Sequence, residues 1–139
     1  NNSRALRLLH AAGVIKLKDP NNTLATKDDI VENPKNIQIK ELPAGQTARA
    51  LDDVAASLIN NGFAVEAGFQ PTKDAIFIEQ ITDSSQPYYN VIAAKEGNEN
   101  NEVYKKIVEY YQSPETAKKI EEVSKGANVP VWEKATLKN

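Results

Sequence analysis

One apolar run near the middle of the chain constrains the fold more than any other feature. Residues 54–59 (VAASLI) lie between the acidic pair Asp52–Asp53 and the polar group Asn60–Asn61–Gly62. Such a run is typical of a strand that is buried on both faces, as in the parallel sheets of α/β proteins. The sequence therefore favours a sheet covered by helices and places a polar group at the carboxyl end of one strand.

The rest of the chain alternates between strand-like and helix-like patterns. Further strands are predicted at residues 37–42 (IQIKEL), 74–80 (DAIFIEQ) and 88–95 (YYNVIAAK). Helices are predicted at residues 4–12, capped by Asn2 or Ser3 and ended by Gly13, and at residues 63–67, 102–112 and 114–125. Because short connectors join these elements, we predict an α/β fold with a mixed or mostly parallel sheet.

Composition removes several classes of function. The chain has 139 residues, a formal net charge of −2 and no cysteine. The length fits one ordinary domain, and the charge argues against a nucleic-acid-binding face, which is usually basic. Without cysteine, disulfides, thiolate nucleophiles and iron–sulfur sites are excluded. The sequence contains no run of about 18 apolar residues, so no membrane-spanning helix is predicted.

The residues that usually carry catalysis or bind metals are sparse. His10 is the only histidine, and the sequence has no G-x-S-x-G elbow, no G-x-G-x-x-G motif and no phosphate-binding loop. The adjacent acidic pairs Asp28–Asp29 and Asp52–Asp53 point their side chains apart, so neither pair forms a shared-proton site by itself. We therefore expect no catalytic residue, no metal site and no cofactor, and a structural or surface role for His10.

Three polar residues are the candidates for a binding site, because each lies at the end of a predicted helix or strand or inside one. Arg4 lies in the first turn of a helix, Asn60 follows the buried strand, and Asn90 lies inside an otherwise apolar strand. A guanidinium beside helix N–H groups suits a carboxylate, and an amide suits an ammonium group or a second carboxylate oxygen. Two alternatives stay open: Asn60 as a simple helix cap, and Arg4 as a solvated helix residue.

Several stretches, in the same order, resemble the NlpA/MetQ family of methionine-binding lipoproteins. The resemblance covers about residues 1–132. Its segments are residues 1–18 (NNSRALRLLHAAGVIKLK), 31–68 (VENPKNIQIKELPAGQTARALDDVAASLINNGFAVEAG), 86–122 (QPYYNVIAAKEGNENNEVYKKIVEYYQSPETAKKIEE) and 126–132 (GANVPVW). The first and third segments contain the family's N-x-[GS]-R motif and a variant of its S-P-Y-x-N motif.

The resemblance implies a type II periplasmic-binding-protein fold and a function in transport. Members are substrate-binding components of ABC importers, which bind methionine between two lobes and pass it to a permease and an ATPase. In the family, the motif arginine grips the ligand carboxylate and two asparagines contact the amino-acid head. These residues match Arg4, Asn60 and Asn90, and Asn1 matches the motif asparagine. The alternatives are a binding protein for another amino acid or small anion and, more remotely, an enzyme on a similar α/β scaffold.

The resemblance also implies that the chain is one part of a longer protein. Residues 1–86 would form the second lobe, residues 87–132 would supply the crossover strand and C-terminal helices of the first lobe, and residues 133–139 would form a polar tail. We expect an extracytoplasmic lipoprotein, membrane-anchored through the missing N-terminal part, or a periplasmic protein. The chain begins with Asn1 rather than Met, which fits a processing boundary or the start of an expressed piece.

Two further expectations follow from this missing part. The chain alone should bind methionine weakly or not at all, and its uncovered first-lobe elements should favour a homodimer. The sequence also departs from the family pattern in three places. Phe63 stands where many members have tyrosine, the stretch at residues 82–86 is longer than usual, and Ser85-Gln86-Pro87 replaces the usual Ser-Pro before Asn90.

Overall fold

The computed structural model describes residues 1–133, apart from the side chain of Ser84. The last six residues of the predicted polar tail, 134–139, lie outside the described residues. The chain divides into two compact units, one of residues Asn1–Phe69 with Ala75–Glu79 and the other of Gln70–Asp74 with the described chain from Gln80 onward.

The first unit contains two helices and one small sheet. Its elements are α1 (Asn2–Ala11), β1 (Lys16–Leu17), β2 (Ile30–Glu32) and α2 (Asn61–Glu66), with 3₁₀ turns at Lys27–Asp29, Ala44–Gln46 and Arg49–Asp53. The second unit is helical. Its elements are α3 (Pro71–Asp74), a 3₁₀ turn at Asp83–Tyr88, α4 (Glu102–Tyr111) and α5 (Pro114–Ser124).

The end of α1 follows the prediction, but its start does not. Gly13 has a φ of +71° and its N–H donates to the carbonyl of His10 at 2.9 Å, which is the expected left-handed helix stop. The helix begins at Asn2 with Asn1 as its N-cap, so the prediction that Asn2 or Ser3 caps it was wrong. Ser3 instead donates from Oγ to the carbonyl of Asn22, and Asn2 donates from Nδ2 to Glu41.

The core of the first unit lies between α1 and β1. Leu6, Ile15, Leu17 and Ala25 are buried there, and Leu9, Val14, Ile30 and Ile39 pack around them. The strands β1 and β2 are antiparallel, and a register irregularity lies between Lys16 and Leu17. Leu6 is the most buried of these side chains, at 1% exposure, and lies at the centre of the packing between α1 and β1.

The two long helices of the second unit start as the sequence predicts. The side chain of Asn101 accepts from the N–H groups of Val103 and Tyr104 at the start of α4. The Oγ of Ser113 accepts from the N–H of Thr116, and Pro114 occupies the first position of α5. Tyr111 and Trp132 meet edge to face, with ring centroids 6.4 Å apart.

The four predicted strands are the main difference between sequence and structure. Within residues 1–133 the only strand ladder joins β1 to β2, so residues 37–42, 54–59, 74–80 and 88–95 are not strands here. A strand is defined by hydrogen bonds to a second segment, whereas an apolar pattern indicates only that side chains favour burial. Many apolar side chains of these segments are exposed, Ile76 most of all at 94%.

Candidate functional site

The first turn of α1 carries a charged pair. The Nε of Arg4 donates to both carboxylate oxygens of Glu79, at 3.0 Å and 2.9 Å, and its Nη2 also donates to Oε2. The two residues are 75 positions apart in sequence and belong to the same compact unit. Fork-like contacts of this kind fix the plane of the guanidinium as well as its position. Arg4 is therefore held in one orientation at a helix N-terminus.

This ion pair contributes more to geometry than to stability. The Arg4 and Glu79 side chains are 37% and 35% exposed, so water screens the attraction between them. Pairs in such surroundings stabilise a fold by at most about 1 kcal/mol. The first turn of α1 contains no acidic residue, so the positive end of its helix dipole is not offset by a side chain of that turn.

A second polar contact lies on the same turn. The Nδ2 of Asn60 donates to the Oδ1 of Asn1 at 3.4 Å. Asn1 precedes the helix by one residue and is separated from Arg4 by three positions, a spacing that brings side chains together on a helix surface. Asn1, Arg4, Asn60 and Glu79 thus surround the start of α1, and we refer to these four residues as the α1 polar cluster.

Asn60 occupies the N-cap position of α2, but its side chain does not make the cap bond. Its backbone is extended, with φ −66° and ψ 143°, as expected of a cap residue, and its carbonyl accepts from the N–H of Ala64 at 3.0 Å. The alternative of a simple helix cap therefore describes the backbone of Asn60 and not its amide. The amide points to Asn1 and is part of the α1 polar cluster.

The structure brings three of the four predicted site residues together. Arg4, Asn60 and Asn1 share the first unit, whereas Asn90 belongs to the second unit, where it is exposed. Asn90 follows the 3₁₀ turn at Asp83–Tyr88 rather than lying inside a strand of this chain. That Asn90 joins the same site remains a prediction.

Sequence reasoning missed Glu79. It lies near the end of the predicted strand DAIFIEQ, and the rule that singled out Asn60 applies equally to it, because both are polar residues that end an apolar run. The pairing with Arg4 had no signal in the sequence, since the two residues are far apart along the chain. Only the contact with Arg4 in the fold makes Glu79 a candidate for the site.

His10 has the structural role that the sequence predicts. Its Nδ1 accepts a hydrogen bond from the backbone N–H of Leu17 at 3.1 Å. An open cavity of about 290 Å³ lies beside it and is bounded by His10, Gly13, Val14, Ile15, Lys16, Glu32 and Pro34. None of the α1 polar cluster lines that cavity. Among residues 1–133, His, Asp and Glu side chains nowhere gather in groups of three that could hold a metal ion.

The helices of the described chain are short. The longest helix among residues 1–133 is α5, with 11 residues, and none of the helices there is long and apolar enough to span a bilayer.

The chain is similar in sequence to a known protein family and to proteins of that family. A profile of the NlpA lipoprotein family matches residues 1–132. The chain is 42% identical over 132 residues to the probable D-methionine-binding lipoprotein MetQ of Pasteurella multocida (strain Pm70), an alignment that covers 95% of this chain and 47% of that protein. The chain spans about half the length of the curated relatives it matches.

Solved structures extend the likeness to three dimensions. Protein PG110 from Staphylococcus aureus is 45% identical and superposes with a TM-score of 0.82, covering 94% of this chain and 52% of that one. A nutrient binding protein from Burkholderia cenocepacia, bound to methionine, is 46% identical with a TM-score of 0.79, covering 93% and 54%. The predicted fold class, α/β of the periplasmic-binding-protein type, is therefore confirmed for this chain.

Proposed function

Because the chain belongs to the NlpA lipoprotein family, we propose that it is part of the substrate-binding component of an ABC importer and forms one wall of a methionine site. The α1 polar cluster carries this proposal, since it sets a fixed guanidinium and two amides at a helix N-terminus. A relative named as a D-methionine-binding lipoprotein and a solved relative bound to methionine support the choice of ligand.

The chemistry of the cluster matches the head of an amino acid. Arg4 and the N–H groups of α1 bind the ligand carboxylate, to which a guanidinium and a helix N-terminus are both suited. Asn60 and Asn90 contact the polar head, and Asn1 orients Asn60. Binding is capture by closure of two lobes and involves no covalent step. Because closure removes water from the asparagines, a ligand that leaves them without partners binds poorly.

The proposed lobes follow the resemblance to the family. Residues 1–86 form the second lobe, and residues 87–132 supply the crossover strand and the last helices of the first lobe. The other wall of the cleft comes from the part of the family's length that this chain does not span. We place the protein outside the cytoplasm, held at the membrane by a lipid anchor, with a permease and an ATPase as partners. It is a transport component and not an enzyme.

Ligand-induced stabilisation tests this function directly. The complete product of the gene that encodes this chain, here called the complete gene product, is screened by thermal unfolding against the twenty amino acids and methionine-containing dipeptides. A ligand that binds only the folded state raises the unfolding midpoint by mass action. We expect methionine or one of its peptides to raise it. If no compound raises the unfolding midpoint, the proposal is contradicted. If only another amino acid raises it, that amino acid is the ligand in place of methionine.

The 139-residue chain is the second arm of this experiment. We expect weak methionine binding or none, since the chain provides one wall of the cleft. Micromolar affinity in calorimetry with the chain alone contradicts the need for a second wall. We also propose that the isolated chain forms a homodimer through apolar segments that lack sheet partners within residues 1–133.

A further inference from the structure

The Arg4–Glu79 pair has no net charge, and this affects which ligands its site attracts. Both side chains are about one-third exposed, so a ligand at the start of α1 meets the guanidinium and the carboxylate together. A simple anion is attracted by Arg4 and repelled by Glu79 at similar distance, and the two effects largely cancel. A zwitterion carries both charges and is attracted by both groups.

The surroundings of the pair set the orientation of such a ligand. The N-terminus of α1 favours negative charge, and Arg4 lies in its first turn. The side chains of the other two members of the α1 polar cluster, Asn1 and Asn60, are neutral amides and add no side-chain charge. The nearby Glu41 carboxylate is itself paired with Lys27 at 3.5 Å. Glu79 is therefore the carboxylate in the cluster that can attract a cation.

We propose that Glu79 binds the α-ammonium group of the ligand and makes the site selective for free amino acids over plain carboxylates. This assignment rests on the proposed function and adds to it a specificity-determining residue. The ligand carboxylate approaches Arg4 and the helix N-terminus, while its ammonium replaces part of the contact between Arg4 and Glu79. A ligand charge that binds to Arg4 or Glu79 loosens the contact between these two residues. A zwitterion gives each residue a new partner, whereas a ligand with only one charge leaves the other residue without one.

The test uses calorimetry on the complete gene product with two ligands that differ only in the ammonium group, methionine and 4-(methylsulfanyl)butanoate. We expect the unaltered protein to bind methionine at least about tenfold more tightly than the desamino analogue. Glu79→Gln keeps the shape of the side chain and removes its charge. This variant should bind methionine about tenfold or more weakly than the unaltered protein does, and should bind the analogue as tightly or more tightly. Glu79→Asp, which keeps the charge, should preserve the preference for methionine.

Other results would contradict the role of Glu79 or the proposed function. Equal weakening of both ligands by Glu79→Gln overturns the assignment, because Glu79 would then act only by positioning Arg4. An unaltered protein that binds the two ligands equally also overturns it, and this arm needs no variant to fold. If the unaltered protein binds neither ligand, the proposed function itself fails. Methionine binding with an unaltered preference in Glu79→Gln leaves the function standing and removes Glu79 from ligand recognition.

Discussion

The backbone N–H of Leu17 donates to the Nδ1 of His10 at 3.1 Å, so a helix side chain ties β1 to α1. Leu17 is 3% exposed, which means that water cannot easily replace this acceptor. In a neutral imidazole that accepts at Nδ1, the proton resides on Nε2. The single histidine of the chain therefore holds together the part of the first unit that supports the α1 polar cluster.

Removing the acceptor should destabilise the first unit. His10→Ala leaves the N–H of Leu17 buried without a partner, which costs about 1–3 kcal/mol in free energy of unfolding. His10→Asn is the matched control, because its Oδ1 can take the place of Nδ1 and should retain much of the stability. Urea denaturation followed by circular dichroism measures both. Equal stability of His10→Ala and the unaltered chain would show that this hydrogen bond contributes nothing.

Two leucine-to-alanine changes separate core packing from surface exposure. Leu6 is 1% exposed at the centre of the core, whereas Leu24 is 82% exposed. Leu6→Ala should lower the free energy of unfolding by about 2–5 kcal/mol, since it removes buried contacts and leaves a cavity. Leu24→Ala should change it by less than about 0.5 kcal/mol. Similar losses in the two variants would contradict the position of the core between α1 and β1.

Local signals in the sequence predicted the ends of the long helices well, apart from the start of α1. The end of α1 follows from Gly13, and the start of α5 follows from Ser113 and Pro114, because caps and stops depend on residues within one helical turn. Arg4 and Asn60 were candidates because of their predicted places at the ends of elements, and the resemblance to the family added Asn1. In the structure Asn60 contacts Asn1, and Arg4 lies in the first turn of the helix that follows Asn1. The helix caps and stops need little information from outside a short window of sequence.

Features that depend on distant partners could not be predicted in the same way. The apolar pattern at residues 54–59 indicates burial, but a strand also needs a neighbour, and the described chain provides none there. The chain spans about half the length of the curated relatives it matches, and we propose that the apolar pattern reflects packing in a longer fold. Glu79 was missed for a related reason, because its partner Arg4 lies 75 residues away.

Asn60 and Ser113 occupy the same kind of helix position but use their side chains differently. The Oγ of Ser113 caps α5 through the N–H of Thr116, so Ser113→Ala should cost about 1 kcal/mol in stability. The Asn60 amide makes no cap bond and contacts Asn1, so Asn60→Ala should cost less than about 0.5 kcal/mol. In the complete gene product Asn60→Ala should weaken methionine binding, whereas Ser113→Ala should not. A large stability loss with unaltered binding in Asn60→Ala would reassign Asn60 as a structural cap.

Substitution of Asn90 tests whether this residue of the second unit contributes to ligand binding. Its side chain is exposed in this chain, so Asn90→Ala should leave the free energy of unfolding nearly unchanged. In the complete gene product we expect the same change to weaken methionine binding by about tenfold or more, since the polar head of the bound ligand would lose its hydrogen-bond partner. The exposed Asn100→Ala is the matched control and should bind normally. Unchanged affinity in Asn90→Ala removes Asn90 from the site.

The exposed apolar segments should make the isolated chain associate with itself. In the first unit Ile76 is 94% exposed, and in the second unit Val91 and Ile92 are each more than half exposed, all within segments that have strand-like sequences. Segments of this kind tend to pair with another chain unless a charge interrupts them. We expect the mass from light scattering to rise towards that of a dimer as the concentration increases. Ile76→Lys should oppose this association, while Leu24→Lys, the same change at an exposed leucine outside these segments, should not. A chain that stays monomeric at every concentration, or two lysine variants that behave alike, would show that these segments do not pair.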